Sequence, residues 1–255
     1  MELLKDSRES RALARILEFT KKVEKLISEI NVEQLMEGGL NPYLIAALNI
    51  RDFEEIAELF VYKRVERSLG TSFGNVIEAF LAELLGGRSG KEDPRCKRGS
   101  KLKHWICWWD IVIEREVERG GKKYRGVVLS IKSGPADVNK DIVSEFIRHA
   151  KEAEAAGYKP YLVLTYGKRA FEVAVSTLKT EGLDPRDYLL VGRELFGEFL
   201  GDPNYYERVI DAIREASAGV EVGVFDRIEK KIKEIAEELK KRYGNDLSKF
   251  LKDLS

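Results

Sequence analysis

Apolar side chains recur every three or four residues in the first third of the chain, which is the spacing of one buried helix face. Residues 6–30 are predicted to form an amphipathic helix on this ground. A second helix is predicted over residues 52–68, because an aspartate can cap its first turn. Residues 71–75 are expected to break the pattern, and an apolar helix over residues 75–85 should end at a Gly-Gly pair.

From residue 105 the spacing changes to that of β-strands. Two strands, residues 105–118 and 124–132, are predicted to form a hairpin that turns at Gly120 and Gly121. Helices and strands should then alternate. The predicted elements are a helix over 141–156, a strand over 161–166, a helix over 169–181, a strand over 187–191, a helix over 193–200, and two helices in 203–255 divided near 220–224. This order predicts an α/β fold with a mixed central β-sheet flanked by helices, and with extra N- and C-terminal helices.

The charges of the chain balance, since 44 Lys and Arg residues stand against 44 Asp and Glu residues. A polyanionic partner would therefore have to be held by a local basic patch. No run approaches the ~20 apolar residues of a membrane span, and the charged first residues lack the apolar core of a secretory signal.

Cys96 and Cys107 lack metal-ligand spacing and are expected to be reduced thiols, which predicts a cytoplasmic protein. The Lys/Glu-rich composition, with few Met, Cys and His residues, resembles that of thermophile proteins.

The residues with the clearest chemical potential lie at the open end of the predicted hairpin. Asp110 and Lys132 are nearly equidistant from its turn, so their side chains should converge at one end of the sheet. Ser130 lies two positions before Lys132, on the same face. Taken singly, an aspartate or a lysine at a strand end is ordinarily structural. Together they favour metal-assisted hydrolysis of a phosphodiester, with a carboxylate for a hard divalent cation and a lysine beside the attacking water.

A second carboxylate is needed, because Ser130 stands where an acid-x-Lys pattern would have an acid. Glu78 is one candidate: it lies in a strongly apolar predicted helix, where a carboxylate is costly unless it is paired or coordinated. Glu145 is the other, about one turn into the helix after Lys132, where it could equally be a solvated residue that favours the helix dipole. Both stay open. The candidate metal ligands are Asp110, Glu145, Glu78 and Ile131.

The order Asp110, then Ser130-Ile131-Lys132, then Glu145 resembles the permuted active site of part of the PD-(D/E)xK nuclease superfamily, in which the second carboxylate has moved to the following helix. Segments that resemble type II restriction endonucleases cutting GGNCC-like (RGGNCCY) sites are GLNPY (39–43), TSFGN (71–75), DIVIE (110–114), LSIKSG (129–134) and VGRELF (191–196). They follow one another in the same order over most of residues 35–200. Trp109 replaces the proline of the superfamily pattern.

The resemblance implies a restriction-endonuclease-like fold and a homodimer that cuts both strands of a short G/C-rich palindrome in double-stranded DNA with Mg²⁺, for which Mn²⁺ should substitute. Asp110 would ligate the metal, and Lys132 would position or activate the water. Residues 1–70 would be an N-terminal helical region for dimerisation or DNA contact, and residues 71–202 the catalytic core. Residues 203–255 would be C-terminal helices packed on the core or at a dimer interface.

Basic residues near the hairpin are candidate DNA contacts, through phosphates or guanine edges. Those in the basic loop over residues 86–103 are Arg88, Lys91, Arg95, Lys97, Arg98, Lys101 and Lys103, and those farther along the chain are His149, Lys168 and Arg169. The structural alternatives are a solvated charged loop and, for His149, a packed side chain. The apolar stripes of residues 6–30 and 225–243 could pack on their own domain, or could form the twofold interface that a palindrome requires.

The sequence thus predicts a cytoplasmic type II restriction enzyme with no membrane partner. Two alternatives remain. A structure-specific repair or junction nuclease would use the same metal chemistry on branched DNA. A non-catalytic DNA-binding protein on a nuclease fold is suggested by the missing acid at Ser130.

Overall fold

The computed structural model describes residues 7–96, 104–132, 138–166, 168–218 and 223–254 of the chain. The helices are α1 Ser7–Ser28, α2 Val32–Met36, α3 Pro42–Ala47, α4 Phe53–Leu85, α5 Lys140–Ala155, α6 Lys168–Thr180, α7 Pro185–Tyr188, α8 Arg193–Leu200, α9 Tyr205–Ala218, α10 Val224–Tyr243 and α11 Leu247–Asp253. The strands are β1 Ile111–Ile113, β2 Val117–Arg119, β3 Lys122–Tyr124, β4 Gly126–Lys132, β5 Tyr158–Leu164 and β6 Leu189–Val191. The chain forms two units: Met1–Ile16 with Gly74–Ala216, and Leu17–Phe73 with Ser217–Ser255.

The described part of the first unit contains a sheet with the strand order β1-β4-β5-β6. β1 runs antiparallel to β4, with Ile111 opposite Leu129, whereas β4, β5 and β6 are parallel to one another. α5 carries the chain from β4 to β5, which is the crossover that a parallel pair needs. The sheet is therefore mixed, as the order of elements predicts.

Helices cover both faces of this sheet, so successive residues of β4 enter two different apolar cores. On one face, Leu129 and Ile131 pack in the same core as Phe80 of α4. On the other face, Val128 packs in the same core as Phe146 of α5. The predicted α/β class, with a mixed central sheet flanked by helices, is confirmed.

The predicted break at residues 71–75 is wrong, because α4 continues through it as one helix. Within this stretch Phe73 packs edge-on against Phe19 of α1, with ring centroids 5.3 Å apart. Gly70 and Gly74 each cost a helix about 1 kcal/mol relative to alanine. The apolar packing along α4 outweighs that cost, which local propensity alone does not reveal.

The strand predicted over residues 105–118 is broken into separate pieces. Trp105–Trp108 forms a 3₁₀ turn, β1 is only three residues long, and β2 pairs with β3 in a ribbon apart from the main sheet. The indole of Trp108 stacks on His149 of α5 at 4.5 Å between ring centroids, which draws this segment out of the sheet. The predicted turn at Gly120 and Gly121 is confirmed, and both have the positive φ, 57° and 74°, that a tight hairpin turn uses.

The second unit packs its apolar side chains around the first half of α4 and the C-terminal helices. Phe53 meets Phe250 edge-on, with ring centroids 5.6 Å apart. Residues 203–255 contain three described helices rather than the predicted two. The reason is local: Gly244 ends α10, and Asp246 caps α11 by accepting the backbone N–H of Lys249.

The expectation of reduced thiols is also wrong. Cys96 and Cys107 form a disulfide, with their Cα atoms 5.6 Å apart. Each cysteine lies in a short 3₁₀ turn, Pro94–Cys96 or Trp105–Trp108, and the packing of these turns against each other brings the two sulfurs together. Regarding membranes, none of the described helices has the length and apolar character needed to cross one.

Candidate active site at the ends of β1 and β4

Asp110 is held at the end of the sheet by the backbone of β4. It immediately precedes β1, and its own N–H donates to the carbonyl oxygen of Leu129 at 3.0 Å. Its Oδ2 accepts the backbone N–H of Ile131 at 2.8 Å. The side chain is only 10% exposed. The carboxylate is thus fixed by two strands before any cation approaches.

Glu78 of α4 contributes the second carboxylate of this region. Burial raises the pKa of Glu78, the negative charge of Asp110 raises it further, and the positive charges of Lys91 and Lys132 partly offset both effects. These influences place the charges of Asp110, Lys91 and Lys132 around Glu78. Lys132 is the last residue of β4, and its predicted convergence with Asp110 stays a prediction.

Lys91 lies between the two carboxylates. Its Nζ is 3.4 Å from Oδ1 of Asp110 and 3.8 Å from Oε2 of Glu78. An ammonium group in this position supplies part of the positive charge that two neighbouring acids require. The carboxylate pair therefore has the character of a cation site, and Lys91 supplies one positive charge to it.

The 3₁₀ turn that carries Lys91, Gly90–Glu92, is pressed against the segment before β1. A side chain at Gly90 would place its Cβ 2.3 Å from the carbonyl oxygen of Ile106 and 2.4 Å from that of Trp109, so only glycine fits there. This close approach holds the turn, and with it Lys91, next to Asp110.

The buried carboxylate of Asp93 also stabilises the loop that contains the Gly90–Glu92 turn. It accepts hydrogen bonds from Nη2 of Arg88 at 2.8 Å and from Nε and Nη2 of Arg95 at 2.7 and 2.8 Å. The hydrogen bonds from Arg95 hold the pKa of Asp93 well below its usual range. The guanidinium groups of Arg88 and Arg95 thus already stabilise this loop in the absence of DNA.

A cleft of about 260 Å³ opens onto the carboxylates. Its lining residues include Glu78 and Asn75 of α4, Arg15 of α1, Asp110, and the loop residues Gly87, Arg88, Ser89 and Glu92. Arg15 and Asn75 are not among the site residues predicted from the sequence, since both stand on helices whose apolar faces dominate the pattern. Only the packing of α1 beside α4 places them at this cleft.

The described residues hold no group of three or more His, Cys, Asp or Glu side chains arranged for a metal ion. The donor set is instead a pair of carboxylates and one carbonyl. The N–H of Ile131 points to Asp110, and since N–H and C=O of one strand residue point to the same side, its carbonyl oxygen faces the same edge. Mg²⁺ is ordinarily held by one or two carboxylates with water and substrate phosphate completing its shell, so this donor set fits it.

The other two residues predicted from the motif lie apart from the carboxylate pair. Ser130 is buried and, by strand alternation, shares with Val128 the face that α5 covers. Glu145 is half exposed on α5, where Arg148 and His149 lie 3.6 and 3.9 Å from its carboxylate. Because α4 and α5 cover opposite faces, Glu78 and Glu145 approach the sheet from opposite sides.

The residues predicted to contact DNA differ in their surroundings. His149 is largely enclosed, stacked on Trp108 and within 3.1 Å of Glu152. Lys91 pairs with the two carboxylates, and Arg88 and Arg95 bind Asp93. The predicted contacts that lie outside the described residues are Lys97, Arg98, Lys101 and Lys103. The side chains of Lys168 and Arg169, at the start of α6, are also outside the described set.

Comparison with known proteins gives no independent guide to this site. No protein-family model matches the chain, and no curated protein matches it significantly. The resemblance to type II restriction endonucleases stays a prediction, and the site has to be judged on its geometry.

Proposed function

We propose that the chain is a Mg²⁺-dependent nuclease that hydrolyses phosphodiester bonds in DNA. The observation that carries the proposal is the pair of carboxylates, Asp110 and Glu78, that Lys91 joins at one end of a mixed sheet, where β4 ends at Lys132. Of the two candidate glutamates, Glu78 is proposed as the second metal ligand, because Glu78 and Asp110 line the same cleft and both lie within 4 Å of the Lys91 ammonium.

Each side chain has a defined task in this proposal. Asp110, Glu78 and the carbonyl oxygen of Ile131 would hold the cation, which when bound polarises a phosphate and lowers the pKa of water. Lys132 would orient the attacking water and stabilise the negative charge that builds up on the phosphate oxygens. The fixed hydrogen bond from Ile131 to Asp110 prepares this arrangement in advance.

The finer part of the proposal comes from the resemblance: cleavage of both strands at a short G/C-rich palindrome by a homodimer, with Mn²⁺ replacing Mg²⁺. A twofold assembly is what symmetric recognition requires. The experiment that tests it incubates the purified chain with phage DNA and Mg²⁺ or Mn²⁺, beside branched and flapped duplexes. Discrete bands support a site-specific enzyme, whereas preference for branched DNA supports a junction or repair nuclease.

Variants connect any cleavage to the candidate site. Asp110→Asn and Lys132→Met should each reduce the cleavage rate more than about a hundredfold, since each removes a group that acts in the transition state. Asp211→Asn is the matched control, because Asp211 is a highly exposed acid on α9. Cleavage that persists in Asp110→Asn, or the absence of cleavage with both metals, would rule out the proposal.

A second candidate function, DNA binding without catalysis, is favoured by one observation. Lys91 already pairs with both carboxylates within the chain itself, and Ser130 supplies no acid. This alternative predicts that the wild type binds duplex DNA with the same affinity as Asp110→Asn and cuts nothing.

A further inference from the structure

Three short 3₁₀ turns pack against one another beside the candidate active site: Gly90–Glu92, Pro94–Cys96 and Trp105–Trp108. The first turn carries Lys91, and the third leads towards Asp110. A disulfide joins the second turn to the third through Cys96 and Cys107. We call the three turns and their disulfide the turn cluster. The proposed function makes no use of this covalent link.

The disulfide lies directly against the turn that carries Lys91. Sγ of Cys96 is 3.2 Å from the carbonyl oxygen of Gly90, the residue before Lys91. Gly90 is also pressed against the segment before β1, because a Cβ at this position would meet the carbonyl oxygens of Ile106 and Trp109. The position of Lys91 therefore depends on how closely the first turn packs on the other two.

The third turn is anchored to the rest of its unit by aromatic contacts. The ring of Trp105 lies 5.1 Å from that of Tyr158, the first residue of β5, measured between centroids. Trp108 stacks on His149 of α5 at 4.5 Å. The side chain of Lys91, in contrast, is 62% exposed. The disulfide thus fastens an exposed loop to a fixed part of the fold, and opening the bond loosens the loop.

The disulfide has two chemical states. Cys96 and Cys107 are both partly exposed, so a small dithiol has access to the bond. In thiol–disulfide exchange the dithiol transfers two electrons and two protons to the chain, which gains two thiols, while the dithiol closes to its own disulfide. Disulfides persist in oxidising surroundings and are opened in reducing ones. The surroundings therefore decide whether the loop is fastened.

We infer that the disulfide of the turn cluster is a redox switch that controls the access of Mg²⁺ to the carboxylate pair. In the oxidised chain the cluster holds the ammonium of Lys91 3.4 Å from Asp110 and 3.8 Å from Glu78, where it competes with a cation. In the reduced chain the ammonium leaves the pair more often, so Mg²⁺ binds more tightly. The inference rests on the proposed function in one respect: these carboxylates are the Mg²⁺ site.

Noncovalent contacts limit the size of the effect. Asp93 still binds Arg88 and Arg95 after reduction, and the close packing of Gly90 remains. Reduction therefore loosens Lys91 without removing it. Because the ion pairs of an exposed lysine are individually weak, we expect Mg²⁺ to bind about two- to threefold more tightly to the reduced chain.

The test measures Mg²⁺ binding to the full chain by isothermal titration calorimetry, without DNA, before and after treatment with dithiothreitol. The wild type should show the gain in affinity on reduction. Lys91→Met should show none, because the competing ammonium is absent in both states. The double variant Cys96→Ser, Cys107→Ser should bind Mg²⁺ like the reduced wild type with or without the dithiol. Far-UV circular dichroism verifies that each variant is folded.

A second measurement follows the turn cluster itself. Backbone hydrogen bonds close its first two turns, from the N–H of Asp93 to the carbonyl oxygen of Gly90 at 3.2 Å and from that of Cys96 to Asp93 at 2.8 Å. Amide hydrogen exchange over residues 89–96 should be faster in the reduced wild type, because these bonds then open more often. The β2–β3 ribbon, residues 117–124, is the internal control and should exchange at the same rate in both states.

The outcomes separate this inference from the proposed function. Mg²⁺ affinity that is equal or weaker in the reduced wild type, or that rises equally in Lys91→Met, overturns the switch. Unchanged exchange over residues 89–96 also overturns it, because noncovalent contacts alone then hold the loop. If Mg²⁺ affinity follows the redox state while no DNA is cut, the switch stands and the nuclease proposal fails. If DNA is cut and the affinity does not respond, the nuclease stands and the switch fails.

Discussion

Replacing Lys91 with methionine removes the ammonium group that lies between the two carboxylates of the candidate site. Methionine keeps much of the length and apolar surface of the lysine stem, so the Gly90–Glu92 turn should be preserved. A cation entering the pair has to displace this ammonium or bind beside it, and both cost free energy. Lys91→Met should therefore tighten Mg²⁺ binding in the absence of DNA.

The size of the effect follows from the distances and the exposure. Unit charges 3.4 Å apart, the separation of Lys91 from Asp110, attract by about 5 kcal/mol at an effective dielectric constant of about 20. The Lys91 side chain is 62% exposed, however, and exposed ion pairs contribute only about 0.2–1 kcal/mol each. Two such pairs, with Asp110 and Glu78, give about 1 kcal/mol. This corresponds to about a fivefold tighter Mg²⁺ dissociation constant.

Isothermal titration calorimetry with Mg²⁺ on the DNA-free protein measures this constant, and Lys123→Met, on the exposed β2–β3 ribbon, is the control. The double variant Glu78→Gln, Lys91→Met should show a smaller gain from Lys91→Met, because one of the two pairs is already gone. DNA affinity should move the other way and weaken, since a cation beside the phosphate is lost. Metal binding that is unchanged or weaker in Lys91→Met would refute the placement of Lys91 between the carboxylates.

Three further predictions follow from the same site. In calorimetry, Glu78→Gln should weaken Mg²⁺ binding more than tenfold while Glu145→Gln leaves it unchanged, and the opposite result would assign the metal to the α5 face. With metal removed by EDTA, the raised pKa of Glu78 means that this carboxyl holds its proton more tightly in the folded protein than in the unfolded chain. Its stabilising contribution is complete below the ordinary value of 4.5 and is lost as pH rises through the folded pKa, so Glu78→Gln should unfold at a higher temperature than wild type near pH 7 and at the same temperature near pH 4. For Asp93 the sign is reversed: its lowered pKa gives stability that is present at neutral pH and disappears as pH falls through the folded pKa. Asp93→Asn should lower the free energy of unfolding in urea by about 1–3 kcal/mol at pH 7, and an unchanged urea midpoint would show that Arg88 and Arg95 do not depend on it.

The sheet could be predicted from the sequence because its strands carry strong patterns. The turn at Gly120 and Gly121 and the apolar run in β5 bring β4 and β5 into the sheet with the correct connection through α5. Residues 105–108 could not be predicted as a 3₁₀ turn, since their aromatic side chains suit a strand equally well. What removes them from the sheet is contact with α5 and with Cys96, both remote in the sequence.

The two candidate glutamates illustrate a similar limit. Spacing along the chain favours Glu145, because the helix after a strand is its nearest neighbour, while an apolar setting favours Glu78. Neither signal states which face of the sheet each helix covers. That information comes from the packing of Phe80 of α4 and Phe146 of α5 into different cores, which places the two helices on opposite faces of the sheet.

The serine at position 130 is consistent with this arrangement rather than a defect in it. Ser130 is 1% exposed on the face where Val128 meets the α5 core, so a carboxylate at this position would be buried among apolar side chains at a high cost in desolvation. Glu78 is 27% exposed and lies at the mouth of a cleft, where water and Lys91 reduce the same cost. Carrying a negative charge beside Asp110 therefore costs less for an acid on α4 than for an acid at position 130. Lys132 meanwhile keeps its place at the end of β4. In the proposed enzyme, moving the acid from strand to helix would thus retain both the charge needed for the cation and the apolar packing that holds β4 in the sheet.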